Sequence, residues 1–566
     1  MQLPPKAAKA ASSLSQIIPL TLSDYRRCVA VCLCALLLAL GGCTEDKQQP
    51  SANDADSNNM LTRTYQGTLL GQTSPYDNSV AVFRGIPYAE PPLGDLRWKP
   101  PHSPKPWSGT RPAERFATAC VQATDYEEFV WGRPAFNTSE DCLYLNVWHQ
   151  KQAQQQPVMV WFHGGAHTGG SGQEKIFDGT FLAQQGVVVV TLNYRLGPFG
   201  FLAHPWLQEE SSHHAAGNYG LLDKIAALNW IRDNIDQFGG NPDNITVFGQ
   251  SAGSQSVCAL MVSPLARGLF HKAIGQSASC LSLLPQRDEA GTERGTNLVE
   301  QTGATDLEAL RKLPAEALMD AANASGWATG SRIVIDGWVL PEQPLALFEK
   351  GLQADIPLMT GTLANEGHLL FPLNEALDRE GMVSRLSRMA SPQQIEALLQ
   401  VYETEVNQSD GLAWREISTD IFMSLSARLW AALHTRAGQP AFLYFMDHKP
   451  PAFRLYHPEK PDLNLEDGPR SAGAYHSGDL AYVFGTHGIL DAGWAPEDAE
   501  LSSTLMTYWT NFAKSGNPNH STQPAWQPYQ PNNHTTLYLS ESQTASVDTV
   551  RRAKLDLLQD ILRPQN

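Results

Sequence analysis

The stretch with the clearest capacity for chemistry is Ile245-Thr246-Val247-Phe248-Gly249-Gln250-Ser251-Ala252-Gly253-Ser254. A β-branched and aromatic run feeds into Gly-x-Ser-x-Gly, and an apolar, helix-compatible segment follows (Val257, Ala259, Leu260, Met261). Strand, sharp turn and helix in that order expose a serine hydroxyl at the tip of a strained turn. Ser251 is the candidate nucleophile. Gly249 and Gly253 have a steric task, because strand and helix approach closely only where their residues lack side chains. The five-residue pattern alone also occurs in ordinary loops, so its flanks decide. Asn241-Pro242-Asp243-Asn244 is predicted to be a turn that opens the strand.

A serine nucleophile needs a base, an acid to orient the base, and donors for the oxyanion. Spacing alone does not select the acid from Glu342, Asp336 and Glu366, and 16 histidines leave the base open. A further stretch narrows both. With the elbow, Ser139-Glu140-Asp141-Cys142-Leu143-Tyr144-Leu145-Asn146-Val147-Trp148 resembles the type B carboxylesterase/lipase family, the cholinesterase-like branch of the α/β-hydrolases. Asn193-Tyr194-Arg195-Leu196-Gly197-Pro198-Phe199-Gly200-Phe201 and Gly217-Asn218-Tyr219-Gly220-Leu221-Leu222-Asp223 extend the likeness, which runs from Tyr65 to Leu562.

The resemblance implies roles residue by residue. Val158-Met159-Val160-Trp161-Phe162-His163-Gly164-Gly165-Ala166 matches the family's oxyanion loop, so the amides of Gly165, Ala166 and Ala252 become the oxyanion donors. Gly361-Thr362-Leu363-Ala364-Asn365-Glu366-Gly367 matches its acid loop, making Glu366 the acid. Gly473-Ala474-Tyr475-His476-Ser477-Gly478-Asp479 matches its histidine loop, making His476 the base, with Asp479 where family members often carry Glu. The chain order Ser251, Glu366, His476 is the one the α/β-hydrolase topology requires. Cys120 with Cys142 and Cys258 with Cys280 correspond to two disulfides. Tyr126, Phe129, Trp131 and Phe136 are expected to help line an active-site gorge. The implied activity is serine carboxylesterase, through an acyl-enzyme, on a small-molecule ester, with no metal or cofactor called for. Lipase or cholinesterase-like activity is the alternative within enzymes. Relatives that have lost the triad serve in surface adhesion, whereas all three positions here hold competent residues. His163 invites a metal reading, but no second histidine or carboxylate stands at ligand spacing nearby, and a structural role is expected.

The elements that must position these residues read as an α/β fold. β-rich runs (157–162, 186–193, 245–249, 356–361, 441–448) alternate with helix-length segments, which favours a parallel sheet. The family's fold is one large, mainly parallel sheet flanked by helices, with insertions around a gorge. That overrides the prior of about four domains at roughly 150 residues each. Val80 to Ala89 is predicted to be a strand, and Tyr508 to Pro518 a C-terminal helix with its stop.

Composition bounds the rest. A net charge of −17 over 566 residues, without a basic run, carries no electrostatic footprint of nucleic-acid binding. Four of the eight cysteines fall in the first 43 residues. There Arg26-Arg27 precedes the apolar run Val29 to Leu40, which is short for a membrane span and closes on Leu40-Gly41-Gly42-Cys43. This resembles a bacterial lipobox, with Cys43 the lipidated first residue of the mature protein. Residues 1–42 are then a signal peptide, 43–62 a polar tether too poor in apolar residues to fold, and 63–566 the catalytic domain. The expected location is the outer membrane through a lipid anchor, or otherwise the periplasm or medium. The sequence leaves the oligomeric state open.

Overall fold

In a computed structural model of the protein, the predicted alternation becomes one long sheet with helices on both faces. The structure describes residues 60–562 apart from 124–135, 328–331, 371–376, 455–464, 466, 542–543 and 549. Its strands are β1 (Met60–Arg63), β2 (Thr68–Thr73), β3 (Val80–Pro87), β4 (Thr110–Pro112), β5 (Ala119–Cys120), β6 (Thr138–Ser139), β7 (Tyr144–Gln150) and β8 (Gln156–Phe162). They continue with β9 (Val188–Leu192), β10 (Gly240–Gln250), β11 (Lys272–Gln276), β12 (Leu358–Leu363), β13 (Ala441–Met446), β14 (Thr536–Leu539) and β15 (Thr544–Val547). The sheet order is β1-β2-β3-β7-β9-β8-β10-β11-β12-β13-β14-β15, with β4 beside β2. The pairs from β9 through β8 and β10 to β14 are parallel, the other pairs along this order are antiparallel, and β4 runs parallel to β2.

The central strands read as continuous apolar runs because both faces are covered. Along β8, Val158, Val160 and Phe162 enter one core while Met159 and Trp161 enter the other. In β10, Val247 and Phe248 divide in the same way, as a side-chain period of two requires. A smaller third core, with Met382, Leu398, Ile417 and Leu558 among its members, lies among the helices after β12 and the final helix.

Some boundaries differ from expectation. Met60 to Thr62, read as the end of the tether, belong to β1, where Met60 to Arg63 pair with Gly71 to Thr68 and alternate in burial. Four residues of amphipathic strand are too few to stand out beside a long polar segment. The turn cluster 241–244 lies inside β10 as an irregularity, with the pairing to β8 jumping from Gly240 to Ile245. The helix expected at Tyr508 spans Pro496–Ser515 and stops at Gly516 with φ 78°, yet it is followed by Arg552–Leu562. Both disulfides are formed, Cys120–Cys142 and Cys258–Cys280, with Cα separations of 5.0 and 5.5 Å. They mark an exported protein. No helix among the described residues is long and apolar enough to cross a membrane.

Candidate active site

Ser251 stands where β10 ends and the helix Ala252–Val262 begins, with φ 56° and ψ −124°. A non-glycine residue holds this left-handed conformation only when its surroundings determine it. Here they do. The Ser251 N–H donates to the Gln276 carbonyl at the end of β11 (2.9 Å), and its own carbonyl accepts the Gln255 N–H (2.9 Å) in the first helical turn. A Cβ on Gly253 would stand 1.9 Å from the Phe162 carbonyl oxygen of β8, and one on Gly249 would stand 2.6 Å from the Gly253 carbonyl carbon. Both clashes are with backbone, so neither glycine can be replaced without moving strand or helix.

The end of β8 continues into His163-Gly164-Gly165-Ala166-His167. Gly165, Ala166 and His167 all have positive φ (97°, 53° and 58°). The loop lies against the elbow: a Cβ on Gly164 would sit 3.2 Å from the Ser251 Cβ. Among the described residues, the Gly165 and Ala166 N–H groups donate to no other group. Ala252, first residue of its helix, has an N–H with no intrahelical acceptor, at the positive end of the helix dipole. These donors are suited to a developing oxyanion. His163 serves the loop structurally: its ring stacks on Tyr194 at 4.4 Å, and its Nδ1 lies 2.9 Å from the Gly164 oxygen.

Glu366 and His476, 110 residues apart in sequence, meet in the interior. His476 Nδ1 hydrogen-bonds Glu366 Oε2, with the two residues 1 % and 0 % exposed. The other oxygen of Glu366 accepts the Thr362 hydroxyl (2.5 Å) and the Leu363 N–H (2.7 Å). Those bonds come from the end of β12, four and three residues before the glutamate, so the strand itself aims the carboxylate.

The sequence reading missed two residues. Gln250, immediately before the nucleophile, directs its amide nitrogen at His476 Nε2 (3.1 Å). An amide donating to Nε2 is compatible with the tautomer in which the ring proton sits on Nδ1 and faces Glu366. Only the spatial contact across 226 residues reveals it. His167 Nε2 lies 3.1 Å from the Ser256 hydroxyl, which donates to the Ala252 carbonyl (2.9 Å), and so ties the glycine loop to the helix behind Ser251. Burial first, then Lys224, pushes the His167 imidazole well below its ordinary value, so it is neutral at pH 7.

Asp479 packs behind the histidine loop, as its position suggests. Its Oδ2 accepts from Gln276 (2.8 Å) and Tyr444 (3.0 Å). Burial pushes its carboxyl up to about 6, the Gln276 bond opposing and the Glu366 charge adding to the shift. Phe136 is half-buried, and Tyr126, Phe129 and Trp131 lie outside the described residues. A cavity of about 210 Å³ lined by Trp98, Tyr219 and Trp338 includes none of Ser251, Glu366 and His476.

The comparisons agree with this architecture. The profile of the carboxylesterase family matches residues 57–558. The para-nitrobenzyl esterase of Bacillus subtilis (strain 168) is 35 % identical over 513 residues, covering 88 % of this chain and 98 % of that protein. The fumonisin B1 esterase of Sphingopyxis macrogoltabida is 34 % identical over 504 residues, covering 85 % and 86 %. A crystal structure of a Geobacillus stearothermophilus carboxylesterase superposes with a TM-score of 0.76 at 30 % identity, covering 88 % of this chain and all of that one. A serine on a strained elbow, a buried histidine–glutamate pair and a family match over residues 57–558 converge: the protein belongs to the carboxylesterase family, with its α/β-hydrolase fold, and is a carboxylic ester hydrolase.

Proposed function

We propose that Ser251, His476 and Glu366 form the catalytic triad, and that the amides of Gly165, Ala166 and Ala252 form the oxyanion hole. His476 Nε2 takes the proton from the Ser251 hydroxyl as its oxygen attacks the ester carbonyl. The charge that appears on the carbonyl oxygen is received by the three amides, where one fixed donor is worth about 3 kcal/mol. Collapse expels the alcohol, which leaves with the proton held by His476, and an acyl-Ser251 remains. Water then attacks with His476 again as base, and carboxylic acid is released. Glu366 holds the imidazole in the tautomer with Nδ1 protonated and stabilises its charged form. The observation that carries this reading is the buried His476–Glu366 bond, with Nε2 turned toward Gln250, the residue before Ser251.

The substrates proposed are carboxylic esters, with lipase activity on long acyl chains as the alternative. Hydrolysis of p-nitrophenyl esters from acetate to palmitate, by wild type beside Ser251→Ala, tests both parts. Activity should concentrate in the short chains and fall at least about a thousandfold in the variant, which keeps its fold. Near-wild-type turnover by Ser251→Ala would overturn the nucleophile, and rates that climb toward palmitate would make the enzyme a lipase.

The segment before the domain completes the reading. Residues 1–42 act as a lipoprotein signal peptide, Cys43 carries the lipid, and the polar stretch up to β1 tethers the esterase to the outer membrane. The support is the Leu40-Gly41-Gly42-Cys43 closure of an apolar run, together with two disulfides that need an oxidising compartment.

A further inference from the structure

Glu366 and His476 sit on separate loops, after β12 and after a long excursion beyond β13. The contact between them is only as good as the spacing of those loops. One side chain spans the gap. Asn365, the residue before Glu366, accepts the Ala474 N–H on its Oδ1 (3.0 Å), while its own N–H donates to the Ala474 carbonyl (3.0 Å). Ala474 stands two residues before His476. The fit is close: a Cβ on Gly473 would lie 2.5 Å from the Asn365 Oδ1. The remaining end of the amide, Nδ2, donates to Glu416 Oε1 (2.8 Å) on the helix Asp410–Thr419.

Glu416 is itself fixed from two sides. His368 Nε2 approaches Oε1 at 3.1 Å, and Arg551 Nη2 donates to Oε2 at 2.8 Å. The same Arg551 nitrogen donates to the Ala364 carbonyl (2.8 Å), and its Nη1 donates to Asp420 (2.8 Å). Burial alone would raise the Glu416 carboxyl, but the His368 bond and the Arg551 charge outweigh it and bring it down to about 2. The carboxylate is therefore a fixed, ionised acceptor at neutral pH.

We propose that Asn365 is a positioning residue that sets the Glu366–His476 contact, its amide joining the acid loop to the histidine loop and anchoring both on Glu416. This rests on the Ser251, His476 and Glu366 reading above. A neutral amide accepts on one side and donates on the other in this volume with no proton to lose. An aspartate keeps the Ala474 bond but turns a second anionic oxygen on Glu416, so the two must separate. Reacting groups displaced by about 1 Å lose up to about a hundredfold in rate. The charged and titratable groups facing Asn365 are Glu366, Glu416, His368, Arg551 and, across the histidine loop, His476.

The test is a swap of donor and acceptor. Asn365→Asp should lower kcat on p-nitrophenyl acetate by about tenfold to a hundredfold with KM within about threefold. The acid limb of its kcat/KM–pH profile should move to higher pH, because an added carboxylate beside Glu366 favours the imidazolium. The double variant Asn365→Asp/Glu416→Gln restores one donor facing one acceptor and conserves the charge near Arg551. It should recover to within about fivefold of wild type. Wild-type kcat with an unmoved pH profile in Asn365→Asp overturns the proposal, as does a double variant no better than the single. If circular dichroism shows the single variant unfolded, activity of the double variant decides alone. Ser251→Ala separates the two readings: if it retains turnover the nucleophile is wrong, whereas an inactive Ser251→Ala beside a normal Asn365→Asp removes only the positioning role.

Discussion

At the scale of single residues, Lys224 is a buried charge whose desolvation costs stability. It lies fully buried on the helix Tyr219–Asn234, its Nζ 3.0 Å from the Tyr194 ring centroid and 3.4 Å from the Gly220 carbonyl. Burial depresses the ammonium well below 10.5, with Asp223 offsetting only part. Between that lowered value and 10.5 the unfolded chain binds a proton the folded protein does not. Stability therefore rises with pH across this window, and at pH 7 the lysine is a cost. Lys224→Met, which fills similar volume without charge, should raise stability by about 1–3 kcal/mol at pH 7. Denaturant melts should show the gain shrinking as pH rises toward 10.5. A loss of stability at pH 7 would mean that the amine contributes more against Tyr194 than its desolvation costs. No sequence rule singles out Lys224, because a charged residue within Gly220-Leu221-Leu222-Asp223-Lys224 reads as the solvated side of a helix. Ser251 was legible because Gly-x-Ser-x-Gly carries its own steric signature. Glu366 and His476 were legible only by likeness, since a loop glutamate and a loop histidine have no local mark. Gln250 and Asn365 were not legible at all, because their work depends on partners more than a hundred residues away.

At the scale of elements, the strands that come through in sequence are those buried on both faces, such as β8 and β10, whose apolar runs are uninterrupted. β11 escaped notice because its five residues, Lys272 to Gln276, begin and end in polar side chains that are nonetheless buried. The helix Pro496–Ser515 was visible in part through its Gly516 stop, while its start is set by something the sequence hides. Asp498 gathers four groups: Oδ2 accepts the Ala495 N–H (2.7 Å) and Arg470 (2.6 Å), and Oδ1 accepts the Tyr482 hydroxyl (2.7 Å) and His448 Nε2 (2.8 Å). One carboxylate thus joins the exit of β13, both sides of the histidine loop and the helix N-terminus. Burial would raise this carboxyl, but the bonds from His448, Arg470 and Tyr482 hold it well below 3.8. A carboxyl depressed on folding stabilises fully above its unfolded value and ceases to do so as pH falls through the folded one. Asp498→Asn should therefore cost about 2 kcal/mol at pH 7, where it removes the ionised acceptor of Arg470, Tyr482 and His448, with the difference narrowing only below pH 3.8. Thermal melts at pH 7 and at pH 3 measure it. An unchanged melting temperature at pH 7 would show that water satisfies Arg470 and that the helix start is held by other means.

At the scale of the molecule, the described residues carry the esterase fold, and the proposed attachment to the cell rests on Cys43, which precedes them in the sequence. From Cys43 to the residue before β1 the sequence is polar and rich in Gln, Asn, Asp and Ser. Any chain of about 17 residues reaches no more than about 60 Å when fully extended. A body with a net charge of −17 over its chain gains nothing from an anionic lipid surface, and electrostatics would carry it away from the membrane rather than toward it. Membrane association is therefore proposed to come from a covalent lipid on Cys43 rather than from surface charge. The full-length protein expressed in a lipoprotein-processing bacterium should partition into the detergent phase on Triton X-114 separation and take up label from a palmitate analogue. Cys43→Ser should do neither. If Cys43 is only an anchor, kcat/KM on p-nitrophenyl acetate should agree within about twofold between the detergent-solubilised wild type and a form beginning after residue 43. Wild type that stays unlabelled in the aqueous phase would make this a periplasmic or secreted esterase, and Leu40-Gly41-Gly42-Cys43 the end of an ordinary signal peptide.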